Sequence, residues 1–258
     1  MMLTIENISA GYGKKKVLHG ISTVFEQGLN YCILGPNGCG KTTLLRVLTG
    51  LLPSEGEIRF NGREMQSMSR LERARTVALM SQLTRSAFSY SVYDTVMLGR
   101  YHHIRSRIFG QPDKSDRDIV EKYIRSLDLW SLRNESIDSL SGGQRQRVFL
   151  AQTLAQEPDV ILMDEPTNHL DLKNQIDLLD SLRSWLQNGE RIVVVVLHDI
   201  NLALRFSDSV LMMKEGRVVA SGPFTDKITA SVLREVYGVD VAQFMNESWA
   251  AWRSVRPQ

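Results

Sequence analysis

Cysteine is scarce in this chain: Cys32 and Cys39 are the only two among 258 residues. One falls in a short apolar run and the other in the glycine-rich stretch after it, so no structural disulfide is expected and a reducing compartment fits. Long apolar runs are missing too, and none approaches the roughly 18–20 residues that a membrane-spanning helix needs. The opening Met1-Met2-Leu3-Thr4-Ile5-Glu6 has no basic stretch followed by an apolar one, so no secretory leader is expected. Neither sign of charge dominates. The 31 Lys and Arg against 29 Asp and Glu leave a net +2, which argues against an electrostatic nucleic-acid binder. Internal repeats, low-complexity segments and long linkers are absent. What remains is 43% hydrophobic and 23% charged, a globular composition with length for one sizeable core and a subdomain.

Within that composition, Gly35-Pro36-Asn37-Gly38-Cys39-Gly40-Lys41-Thr42 is a complete phosphate-binding loop. An apolar run with strand character, residues 31–34, precedes it, and a helix-forming run, residues 41–48, follows. Glycines let backbone N–H groups turn inward around phosphate oxygens. The helix start directs its positive dipole end at the same anion. Lys41 is placed to bridge the β- and γ-phosphates of a nucleoside triphosphate, Thr42 to offer its hydroxyl to Mg²⁺, and Thr43 to touch the α-phosphate. Residues 160–163 are a second continuous apolar run, as a buried parallel strand requires. That run ends in Asp164 and Glu165. Asp164 stands where a carboxylate would hold Mg²⁺, directly or through water, and Glu165 where one would orient a water against the γ-phosphate.

Residues 3–8 and 21–25 alternate roughly and read as strands. Residues 56–60 with Asn61-Gly62 read as a strand and hairpin turn. Together they predict a small antiparallel sheet beside the nucleotide core. Residues 77–80 form another short strand, followed by Gln82. Residues 93–99, 115–127 and 144–156 read as helices, with Ser115 and Asp118 as an N-terminal box for the second. The core then resumes with strands at 160–163, 192–197, 209–214 and 218–220. Helices are expected at 172–187, 200–206 and 228–237, ahead of a short tail. The expected fold class is α/β, with a mostly parallel sheet, an antiparallel β subdomain and an inserted helical subdomain. One domain spans residues 1–258, with 1–82 and 157–258 as core and 83–156 as the helical part.

Leu140-Ser141-Gly142-Gly143-Gln144 opens the last helix of that insertion. A serine and two glycines at a helix start make an anion site, or an ordinary helix N-terminus with Ser141 as cap. Loop, Leu140–Gln144 segment and acidic pair, in this order, resemble the ATPase subunits of ATP-binding cassette (ABC) transporters over nearly the whole chain. The resemblance implies a P-loop NTPase core, ATP and Mg²⁺ as ligands, and ATP hydrolysis as the activity. It implies that Ser141, Gly142, Gly143 and Gln144 close over the γ-phosphate held by a second copy of the chain. It also implies that Tyr12 stacks on adenine and that Gln82 touches Mg²⁺ or the attacking water. His198 would lie against the γ-phosphate and that water, and Asp171 would meet the opposite subunit while also able to cap its own helix.

About a hundred residues separate the two phosphate-binding segments, too few for the coiled coil of chromosome-structure ATPases. A single cassette excludes the two-cassette translation factors, and no fused membrane helices are present as in exporters. Thr95-Val96-Met97-Leu98-Gly99-Arg100-Tyr101-His102-His103 and Leu233-Arg234-Glu235-Val236-Tyr237-Gly238-Val239 are similar to segments of importers of iron–siderophore, haem and cobalamin. His102 stands where those importers carry proline. The expected partners are a second copy, a multi-span permease and, indirectly, a substrate-binding protein. The expected location is the cytoplasmic face of the cell membrane. The alternative is a soluble cassette ATPase in iron–sulfur or cofactor assembly. Residues 83–107, with Phe88, Tyr90, Tyr93, Tyr101, Arg85, Arg100, Arg105 and Arg107, have the aromatic and arginine content of an interface and are expected to meet the permease.

Overall fold

The computed structural model describes residues 1–81, 89–104, 110–187, 189–253 and 255. Its strands are β1 (Met2–Tyr12), β2 (Lys15–Glu26), β3 (Asn30–Leu34), β4 (Glu55–Phe60), β5 (Arg63–Glu64), β6 (Val77–Met80), β7 (Val160–Asp164), β8 (Ile192–Val196), β9 (Ser209–Lys214) and β10 (Arg217–Pro223). They form two sheets. One is antiparallel, in the order β2-β1-β4-β5. The other runs β10-β9-β3-β8-β7-β6 and is parallel except at its β9–β10 edge.

Side-chain alternation explains why the central strands read as unbroken apolar runs. Cys32 and Leu34 of β3, Ile161 and Met163 of β7, and Val193 and Val195 of β8 face one core. Tyr31, Ile33, Val160, Leu162, Ile192, Val194 and Val196 face another. A parallel sheet covered on both faces has no solvent side, so every residue of such a strand is apolar. The antiparallel sheet and helix α1 (Lys41–Leu48) cover the second face, through Leu3, Ile5, Leu18, Ile21, Phe25, Leu44 and Leu48.

The remaining helices are α2 (Arg70–Thr76), α3 (Val92–Met97), α4 (Tyr101–Ile104), α5 (Lys114–Ser126), α6 (Gly142–Ala155), α7 (Leu172–Gln187), α8 (Ile200–Phe206), α9 (Phe224–Lys227), α10 (Ala230–Tyr237) and α11 (Val241–Trp252). The first face packs against them. Val92 and Val96 of α3, Val120 and Ile124 of α5, and Val148 and Leu154 of α6 share one apolar cluster with β3, β7 and β8.

Three sequence expectations change here. Helix α5 is capped by Asp113, with Asp116 reaching back to it, not by Ser115 and Asp118. Asp116 is fully buried, and satisfying its carboxylate selects this cap. Helix α2 was not anticipated; it is a short, strongly charged helix held by a Ser69–Glu72 capping box. The expected tail after residue 237 is instead α11, capped by Asp240. Its apolar residues give a weak stripe, because only Val241 is buried and Met245 partly so, while Phe244, Trp249 and Trp252 are exposed. No described helix is long and apolar enough to cross a membrane.

Candidate functional site

The C-terminal ends of parallel strands are where an open α/β sheet binds ligands, and β3, β7 and β8 each deliver site residues there. Strand β3 leads into the phosphate loop. Gly35 passes so close to β9 that a Cβ would lie 2.2 Å from the Met213 carbonyl. Gly40 caps α1 at φ +108, a left-handed conformation that glycine adopts without steric cost. Asn37 and Gly38 are exposed, whereas Gly35, Cys39, Gly40 and Thr43 are buried and Pro36 partly so. The loop closes on itself through the Cys39 N–H, which donates to the Pro36 carbonyl at 3.2 Å. Burial pushes the Cys39 thiol above its ordinary range.

Lys41 is 5% exposed, and its ammonium donates to the carbonyls of Gly35 at 2.8 Å and Pro36 at 3.2 Å. Both partners are neutral, so a nearly buried positive charge waits at the mouth of the loop. That arrangement favours an anion, because a buried charge is stabilised chiefly by an opposite one. Thr42 Oγ1 donates to Asp164 Oδ1 at 3.1 Å, joining the loop to the end of β7. Burial raises the pKa of Asp164, and the Thr42 hydrogen bond opposes the shift only in part. A hydroxyl and a carboxylate side by side are the oxygen donors that Mg²⁺ accepts. No cluster of three His, Cys, Asp or Glu side chains able to hold a metal occurs among the described residues. Phosphate oxygens and water would therefore complete the shell, the usual arrangement for Mg²⁺ at a nucleotide.

Glu165 follows at φ +54, a left-handed conformation that is costly for a side chain of this kind and recurs at functional sites. Its Oε1 lies 2.5 Å from His198 Nε2, and its Oε2 accepts from Asn168 Nδ2 at 2.5 Å. The structure thus brings Glu165 and His198 together from two neighbouring strands. Asn168 belongs to the Pro166-Thr167-Asn168-His169-Leu170-Asp171 run that supports the acidic pair in sequence, but nothing there shows that its amide holds Glu165. Asp171 caps α7: its carboxylate accepts from the Asn174 N–H and from the Asn174 side chain, each at 2.8 Å.

Ser141 caps α6 in a complete box, in which its Oγ accepts from Gln144 N–H at 3.3 Å and Gln144 Oε1 accepts from Ser141 N–H at 2.9 Å. Ser141 and Gly142 are exposed, and a Cβ at Gly142 would meet nothing within 4 Å. No described hydrogen bond joins Ser141–Gln144 to residues 35–43 of the same chain. Arg145 holds the approach to this turn by donating to the carbonyls of Ile137, Asp138 and Leu140. Gln146 Nε2 donates to the Pro166 carbonyl at 2.7 Å, linking α6 to the turn after Glu165. Arg145-Gln146-Arg147 extends the Leu140–Gln144 resemblance in sequence, but no residue pattern shows the partner of Gln146, a backbone carbonyl twenty residues away.

Tyr12 sits at the end of β1, half exposed, and its hydroxyl accepts from Arg46 of α1 at 3.0 Å, beside the loop helix. Gln82 lies outside the described residues, as do Arg85, Phe88, Arg105 and Arg107 of the expected permease contact. Of the rest of that segment, Tyr90 and Tyr101 are exposed and Tyr93 is partly packed in the core. Arg100 is a correction: it is 4% exposed and ion-paired with Asp116, so it cannot present its charge to a partner.

Comparison with known proteins agrees with this geometry. The family described as ABC transporter matches residues 18–168. The ferric enterobactin transport ATP-binding protein FepC of Escherichia coli is 37% identical over 235 residues, 91% of this chain and 86% of that protein. The hemin import ATP-binding protein HmuV of Pseudomonas putida is 39% identical over 246 residues, 93% of this chain and 94% of its own. Among solved structures, an inward-facing metal-chelate type ABC transporter superposes with a TM-score of 0.80 at 29% identity, covering 92% of this chain and 89% of that one. With a phosphate loop, a strand-end acidic pair and a Ser-Gly-Gly helix start set in one such fold, the chain belongs to the ABC transporter family as one of its ATP-binding, ATP-hydrolysing subunits.

Proposed function

We propose that this subunit powers uptake of an iron chelate or haem. It would act as a homodimer on the cytoplasmic face of the cell membrane, beneath a multi-span permease fed by a substrate-binding protein. The relatives named for enterobactin and hemin transport support the substrate class. One observation carries the dimer: the exposed Ser141-Gly142 turn makes no hydrogen bond to its own chain's phosphate loop. An exposed anion-binding helix start can take a phosphate held by a second copy. The functional parts are residues 1–82 and 157–258 as nucleotide core and 83–156 as the body that carries the turn.

In this reading the loop N–H groups and Lys41 bind the triphosphate, with Lys41 exchanging two carbonyls for phosphate oxygens. Tyr12 stacks on the adenine ring. Thr42 and Asp164, with Gln82, would hold Mg²⁺, which when bound would neutralise phosphate charge. Glu165 accepts the proton of the attacking water, and His198 fixes the carboxylate that does so, as its 2.5 Å contact supports. Ser141, Gly142, Gly143 and Gln144 of the partner subunit close over the γ-phosphate, and Asp171 meets the opposite subunit. Positioning and electrostatics supply the catalysis.

The test is Glu165→Gln. Turnover should fall by about 10²–10⁴-fold, the usual contribution of a general base, while ATP binding persists. The variant should elute as a dimer with ATP and a monomer without it. Wild-type turnover would dismiss Glu165 as the base. Copurification with a multi-span permease separates a transporter subunit from a soluble assembly ATPase, which has none.

A further inference from the structure

Arg100 is a buried charge that the nucleotide site leaves unexplained. Its Nε donates to Asp116 Oδ1 at 3.0 Å, and its Nη1 donates to the Ala155 carbonyl at 2.8 Å and to Glu157 Oε2 at 2.9 Å. Asp116 is 0% exposed, and its other oxygen accepts from the Asp113 N–H at 3.1 Å, closing the cap of α5. Ala155 is the last residue of α6. The guanidinium therefore ties the start of α5 to the end of α6, where the helix dipole is negative. Gly99 makes the approach possible, because a Cβ there would lie 2.2 Å from the Gln152 carbonyl of α6.

The same helix end is held from a second side. The Gln156 side-chain amide donates to the Ala74 carbonyl, and His103 Nε2 lies 3.1 Å from the Gln156 carbonyl. Arg75 donates to the His102 carbonyl at 3.2 Å. At the opposite end of α6 stand Ser141, Gly142 and Gly143. The 14 residues of α6 make a stiff rod of about 21 Å. Whatever holds its C-terminal end sets the aim of its N-terminal end.

We propose that Arg100 is a positioning residue for ATP turnover. Through Gly99 and Arg100, α3, α5 and α6 move as one body, and the clamp fixes where Ser141–Gly143 arrive in the partner's ATP site. This rests on the reading that those residues act in trans. It gives the Gly99-Arg100 pair a role inside the subunit rather than on its surface.

The experiment compares Arg100→Met and Arg100→Lys, each alone and combined with Glu165→Gln. Arg100→Met should lower kcat by about ten- to a hundredfold, the cost of misplacing a reacting group by a fraction of its contact distance. KM for ATP and the affinity of the monomer for a fluorescent ATP analogue should stay within about twofold, because the loop is untouched. Combined with Glu165→Gln, it should weaken ATP-dependent dimerisation. Arg100→Lys should recover part of both, since it keeps the charge but loses the planar fork. Wild-type kcat in folded Arg100→Met overturns the proposal. So does an equal loss of kcat and monomer ATP affinity, which marks general damage. If Arg100→Met does not fold, Glu157→Ala, which removes one arm of the clamp at a partly exposed site, is read by the same criteria. Absence of an ATP-dependent dimer in Glu165→Gln alone would instead remove the premise of trans action.

Discussion

Asp164 serves two requirements that oppose each other. Its carboxylate touches Thr42 at the end of β7, where a cation would need it charged. Yet burial raises its pKa above the unfolded value. A raised carboxylate pKa means that the folded state binds the proton more tightly than the unfolded chain. Above the folded pKa the ionised group therefore costs stability, and that cost fades as pH falls toward the unfolded value of about 4. Asp164→Asn should abolish turnover and raise the melting temperature at neutral pH, with a gain that shrinks on acidification. Thermal unfolding of both proteins from about pH 8 down to about pH 4 reads this directly. An equal or lower melting temperature at neutral pH would show that Asp164 carries no burial cost. The same exchange of stability for function is visible at Glu165, whose left-handed backbone is held by His198 and Asn168.

At the scale of elements, the phosphate loop and the acidic pair each join a strand end to a turn with special geometry. Gly40 starts α1 from φ +108, and a Cβ there would lie 2.8 Å from Leu18 Cδ2 of β2. Gly40→Ala should therefore cost about 1–3 kcal/mol of stability through backbone strain alone, and nucleotide binding should fall with it. Chemical denaturation and ATP titration of the purified variant check both. A neutral substitution would mean that the loop relaxes freely. Helix α6 combines a conventional cap with the second duty proposed for its start. Ser141 and Gln144 satisfy each other's N–H groups, and Gly142 is exposed with open space beside it, whereas Gly143 packs against the Asn174 side chain. The strands were legible because both faces of the parallel sheet are covered, leaving period-free apolar runs such as residues 192–196. The start of α5 was less so, since Asp113 and Ser115 are both good caps in isolation, and the buried Asp116 decides between them.

At the scale of the whole molecule, the proposed dimer would join two incomplete halves into one working site. If loop and Ser-Gly-Gly turn act across two copies, Lys41→Ala and Ser141→Arg should each be inactive alone. In a mixed dimer the Ser141→Arg copy supplies an intact loop and the Lys41→Ala copy an intact turn. Mixing equal amounts should restore up to roughly a quarter of wild-type turnover, by random pairing in a twofold dimer. No recovery, with mixed dimers shown to form, would argue that each chain hydrolyses ATP alone. Ser141→Arg should also keep the monomer's ATP affinity, because the turn makes no described hydrogen bond to residues 35–43.

The sequence by itself determined the local chemistry. A phosphate loop is contiguous, and its glycines, lysine and threonine are needed at fixed spacing because neighbouring backbone N–H groups must converge on one anion. The acidic pair and the Ser-Gly-Gly start are equally local, so Lys41, Thr42, Asp164, Glu165 and Ser141 could be named from residue order. Only the tertiary structure decided what depends on burial and on distant partners. It placed His198 against Glu165, because β7 and β8 are neighbours in the sheet. It found Gln146 on the Pro166 carbonyl, a backbone partner that no residue pattern announces. It also moved Arg100 from an expected surface to a buried ion pair. An arginine looks the same in sequence whether it meets water or a carboxylate, and only the packing of α3, α5 and α6 around it excludes the water.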